Sequence, residues 1–99
     1  MYAVIFTATI RQLDSEYSDM AERLRDLALA EYGCLEFTSA NEGTREIAIS
    51  YWDSEDQIRR WKNDVEHRVA QELGRSAWYE SYRLEIVSVI RRYGSSNPG

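Results

Sequence analysis

Ninety-nine residues with a formal charge of -5, 43% hydrophobic content and twelve aromatics make one domain with a thin core. The acidic balance argues against a sequence-independent nucleic-acid binder, which needs a basic face to displace counterions from phosphate. Arg59-Arg60 and Arg91-Arg92 are surrounded by carboxylates and read as solvated surface.

Tyr2 to Thr9 reads YAVIFTAT, β-branched and aromatic, and predicts a first strand. Asp14 or Ser15 offers a helix cap, with Glu16 and Asp19 near the positive end of the helix dipole. Tyr17, Met20, Leu24, Leu27 and Ala28 recur at helical steps opposite Glu22, Arg23, Arg25 and Asp26, and Gly33 supplies a stop. A second strand is expected from Cys34 to Ala40 and a third from Arg45 to Trp52. Asn41-Glu42-Gly43-Thr44 joins them as a hairpin turn, with Gly43 able to take positive φ. Asp53 or Ser54 caps a second helix, whose apolar face carries Ile58, Trp61, Val65, Val69 and Leu73. Gly74 suggests a break or a cap, and Tyr82 to Arg92 is the last expected strand. The tail 94–99 has nothing to bury and is expected to be disordered, which leaves 1–93 as the domain.

The order βαββαβ is that of ferredoxin-like α+β folds. It predicts a four-stranded antiparallel sheet with both helices on one face, reached by right-handed crossovers. Such a sheet should alternate apolar and polar residues, yet these strands are apolar on both sides. Tyr2, Val4 and Phe6 oppose Ala3 and Ile5; Ile47, Ile49 and Tyr51 oppose Ala48 and Trp52; Leu84 and Ile86 oppose Val87 and Val89. Two helices cover one face only. A second copy of the sheet, packed about a two-fold axis, is the expected cover for the other, making a homodimer.

Cys34 is the single cysteine and His67 the single histidine, so neither a disulfide nor a cysteine-based metal knot is expected, and no metal site is assigned. The glycines are scattered, with no phosphate-cradling loop, so no nucleotide cofactor is expected. No stretch approaches a membrane span, and the expected setting is reducing and cytoplasmic.

The segment Ser50 to Arg75, SYWDSEDQIRRWKNDVEHRVAQELGR, resembles the antibiotic biosynthesis monooxygenase superfamily of dimeric α+β barrel proteins. The resemblance rests on the aromatic strand end Tyr51-Trp52, the cap Asp53-Ser54, the spacing of Ile58 and Trp61, and His67 and Ala70 further along the helix. It implies a cofactor-independent monooxygenase acting on a phenolic or polycyclic molecule, or a non-catalytic dimer that binds a small hydrophobic or aromatic ligand. In either case the pocket lies between sheet and helices. A phenol that loses its proton can react with dioxygen directly, which asks of the protein orientation, a dry cavity and a proton acceptor.

Under that resemblance His67 is the leading base, with a nearby tyrosine as the alternative, and Trp61 is a positioning wall. A break near Asn63-Asp64 would turn His67 inward; on an unbroken helix it points away from Ile58 and Val65. Tyr51, Asn63, Trp78, Tyr82 and Arg83 are the further candidates for lining the cavity. Haem-degrading members instead use an Asn near the end of the first strand, the helix-two Trp and a His ten residues after it. Here those positions hold Thr7 or Thr9, Trp61 and Gln71, and glutamine is a poor iron ligand beside imidazole, so a haem-binding or haem-degrading protein, with His67 as substitute ligand, is the third reading, ranked after the other two.

Overall fold

A computed structural model describes residues 1–11, 15–73 and 79–95, with side chains throughout except at Glu16 and 67–73. The elements are β1 (Tyr2–Ile10), α1 (Ser15–Glu31), β2 (Glu36–Glu42), β3 (Arg45–Trp52), α2 (Glu55–Leu73) and β4 (Tyr79–Ser88). The four strands form one antiparallel sheet in the order β2-β3-β1-β4, so the first strand sits in the middle as the ferredoxin-like arrangement requires.

Helix α1 ends because Gly33 adopts φ +79, which lets the Cys34 amide reach back to the Ala28 carbonyl at 3.1 Å. Helix α2 begins with a reciprocal cap. The Gln57 amide donates to Ser54 Oγ at 3.3 Å, and the Ser54 amide donates to Gln57 Oε1 at 3.2 Å. The hairpin is tighter than expected: β2 runs through Asn41 and Glu42, and only Gly43-Thr44 turn, with Gly43 at φ +60. Helix α2 is continuous across Asn63-Asp64, so of the two alternatives for that segment the unbroken helix is the one that forms.

Strand β4 starts at Tyr79, three residues before the expected Tyr82, and ends at Ser88. The cause is a bulge. Thr9 pairs with Ser81 but Ile10 pairs with Tyr79, which leaves Glu80 unmatched. The extra residue resets the alternation, so Tyr79 and Tyr82 both project to the side of the sheet that carries Ile10 and Ala8. Of the expected tail, Gly94 and Ser95 are described as irregular backbone, and 96–99 lie outside the described residues.

Candidate functional site

Side chains alternate across a strand, so the pairing registers assign every sheet residue to a face. The helix-covered face carries Tyr2, Val4, Phe6, Ala8 and Ile10 from β1, Glu46 to Trp52 at every second position from β3, and Tyr82 to Ser88 likewise from β4. At one end of this layer lies the core: Val4, Ala28, Cys34, Trp52, Ile58 and Trp61. The Trp61 ring lies 5.3 Å from Trp52 and 6.0 Å from Phe37, and its indole N–H donates to the Leu24 carbonyl of α1 at 3.2 Å. The Tyr32 hydroxyl donates to Asp64 Oδ2 at 2.7 Å. Together these bonds tie α1 to α2.

Four residues along β1 from Val4, roughly 13 Å by strand rise, the layer changes character. Glu46 of β3 is only 9% exposed and accepts a hydrogen bond from the Tyr17 hydroxyl of α1 through Oε2. The Tyr17 ring meets Tyr79 edge-on at 6.0 Å, Tyr79 meets Phe6 edge-on at 5.4 Å, and Tyr82 lies 6.1 Å from Phe6. Burial pushes the Glu46 carboxyl above its ordinary range. Burial raises Tyr79 as well, and the Glu46 charge adds to it, so Tyr79 keeps its proton. Burial likewise raises the Cys34 thiol, which lies in the core and donates to the Glu36 carbonyl at 3.3 Å.

Of the residues singled out from the sequence, those with described side chains are not brought together. Trp61 lies in the core with its N–H engaged, Asn63 is exposed on α2, and Tyr82 stands on the aromatic wall at the other end of the layer. Tyr51 and Arg83 project from the opposite, helix-free face. There Arg92 lies over the Tyr51 ring at 4.7 Å, and Arg83 pairs with Glu85 at 3.2 Å. His67 lies on the unbroken part of α2, its side chain outside the described residues, as is all of Trp78. Glu46 and Tyr17 were missed. The one signal for Glu46 was its even position in β3, in step with Ala48, Ser50 and Trp52.

Among the described residues no three His, Cys, Asp or Glu side chains cluster to hold a metal, and no helix is long and apolar enough to cross a membrane.

A ferredoxin-like sheet roofed by two helices, with an aromatic wall at one end of the layer between them, describes a class of small α+β proteins that includes oxygenases. SnoaB, a cofactor-independent oxygenase from Streptomyces nogalater, has the same fold at a TM-score of 0.76 and 13% identity, over 95% of this chain and 97% of that one. So does MhuD, solved with manganese protoporphyrin IX bound, at a TM-score of 0.64 and 15% identity, over 96% of this chain and 100% of that one. At these identities the likeness is one of fold alone. No protein-family model matches the chain.

In sequence the chain is 44% identical over 92 residues to YqjZ, an uncharacterized protein of Bacillus subtilis, covering 92% of this chain and 81% of YqjZ. It is 31% identical over 94 residues to jasmonate monooxygenase ABM of Pyricularia oryzae, covering 90% of this chain but 43% of that longer protein. An antibiotic biosynthesis monooxygenase of Nitrosomonas europaea also has this fold, at a TM-score of 0.68 and 16% identity, over 92% of this chain and 100% of that one, so the fold is the one that the resemblance in Ser50 to Arg75 implied. The chain belongs to the family of YqjZ.

Proposed function

We propose that the protein is a cofactor-independent monooxygenase of phenolic or polycyclic small molecules, working as a homodimer joined through the helix-free faces of its sheets. The observation that carries this reading is the aromatic wall. Tyr82 is 66% exposed on the helix-covered side of edge strand β4, beside Phe6 and Tyr79, so the layer opens there onto π-faces. An electron-rich ring stacks on such a wall, and the core behind it keeps the wall rigid. Likeness in sequence to a jasmonate monooxygenase and in fold to SnoaB supports oxygenase chemistry. Fold by itself does not choose a substrate.

The reaction asks for a proton acceptor in the layer, and the family resemblance points to His67 or a tyrosine. Trp61 contributes by holding the two helices over the sheet. The test is oxygen uptake with 1,5-dihydroxynaphthalene. Uptake of one dioxygen for each quinone formed is the expected result. Thermal stabilisation by the same compound without uptake would make the protein a non-catalytic binder, and no effect of either kind would remove the small-molecule reading altogether.

A further inference from the structure

We infer that Glu46, steadied by Tyr17, is the group in the sheet–helix layer that recognises a phenolic or enolic hydroxyl and accepts its proton. The inference rests on the oxygenase reading above and names the residue that performs its proton transfer.

A carboxylate this buried normally faces a cation, because an unpaired charge away from water is costly. Among the described residues Glu46 has one partner, the Tyr17 hydroxyl on Oε2. Its second oxygen bonds to no described residue. It is not sealed either, since no fully buried side-chain oxygen among them lacks a partner. Among the described residues one oxygen is thus held and the other is open to a ligand.

The sheet register then places what the ligand would meet. Asn41, Glu46, Ala8 and Tyr82 form one row across β2, β3, β1 and β4 on the helix-covered face. Phe6 and Ala48, the next row on the same face, are half-buried, whereas Ala8, 5% exposed, is covered where it stands between Glu46 and Tyr82. Two strand spacings separate them, roughly 10 Å, a span that a bicyclic or tricyclic phenol fills. A ring lying against Tyr82 and over Phe6 and Ala48 would aim its hydroxyl along β3 at Glu46 Oε1. Among the described residues the titratable groups around Glu46 are Tyr17 from α1 and Tyr79 and Tyr82 from β4; of these, Tyr79 is driven to keep its proton. Glu46, by contrast, is an acceptor when ionised. In the step itself the substrate O–H bond breaks and the proton passes to Glu46 Oε1. The electron pair stays on the substrate oxygen as a phenolate, and no redox partner takes part.

The test compares 2-naphthol with 2-methoxynaphthalene, which has the same rings but no hydroxyl proton, on the wild-type chain and on Glu46→Gln. The wild type is expected to bind the naphthol about tenfold more tightly at neutral pH, because the bond is charge-assisted. That preference should shrink toward equality in Glu46→Gln, and in the wild type as pH falls through the titration of the carboxyl. Turnover of 1,5-dihydroxynaphthalene should slow about a hundredfold in Glu46→Gln. An undiminished preference or unchanged turnover in the variant overturns the assignment, as does a wild-type preference that ignores pH, a readout that needs no variant to fold. Equal binding of both probes to the wild type also overturns it while leaving the aromatic cavity standing. Failure of both to bind removes the cavity itself.

Discussion

Glu46 occupies a strand position whose neighbours at the same parity, Ala48, Ser50 and Trp52, face the helices. Its burial favours the neutral carboxyl in the folded chain, so its folded pKa lies above the ordinary 4.5. The sign follows from linkage: the stabilising contribution is complete below about pH 4.5 and is lost as pH rises through the folded value. Glu46→Gln, which cannot ionise, should therefore unfold at higher urea than the wild type at pH 7, and that advantage should vanish near pH 4; a constant difference across this range would contradict it. A second residue-scale effect belongs to Gly33. At φ +79 a side chain is strained, and a Cβ there would come within 2.6 Å of Gln57 Nε2, part of the cap of α2. Gly33→Ala should lower stability by about 1–2 kcal/mol, measured by equilibrium denaturation.

At the scale of elements, the two helices are attached to one another as well as to the sheet. Trp61 sits on the apolar stripe of α2, as its spacing from Ile58 implied, but its indole N–H reaches across to the Leu24 carbonyl of α1. Trp61→Phe keeps most of the ring packing and removes that bond, so a loss of about 1 kcal/mol is expected. If oxygen uptake falls far more than stability does, Trp61 also touches substrate. Ser54→Ala removes the hydroxyl half of the cap at the start of α2 and should lower stability by about 1 kcal/mol. The order of elements was legible because short β-branched and aromatic runs alternate with stretches of period near 3.6 from Tyr2 to Leu73, with Gly33 and Ser54 marking boundaries between them. The start of β4 was not. The bulge at Glu80 breaks the alternation there, and a bulge is specified by pairing with Thr9 and Ile10, seventy residues earlier in the chain.

Over the whole molecule, the sheet presents two surfaces and the helices cover one. The other carries Ile5, Ile47, Ile49, Tyr51 and Val87, of which Ile47 is 43% and Val87 37% exposed in the single chain. A contiguous apolar patch of this kind on a small domain marks an interaction surface. Sedimentation at micromolar concentration should find the dimer. Ile49→Lys should shift it to single chains, because a buried lysine on each side of a two-fold contact meets its own copy. A dimer that survives the substitution would place the contact elsewhere.

The pattern of apolar, capping and turn residues determined the fold class, the number and order of elements, and the two-sided apolarity of the strands, since each is written in the spacing of neighbouring residues. Which side of the sheet a strand residue faces was decided only by pairing. Tyr51 and Arg83 were candidates for a cavity, and the register turned them to the helix-free face. The buried carboxylate was likewise invisible in the sequence. An acid between Arg45 and Ile47 reads as solvated surface until Tyr17, 29 residues away, is folded against it. Local periodicity sets what a residue can join, but burial and hydrogen-bond partners come from contacts between distant segments, and only the assembled sheet and helices fix those.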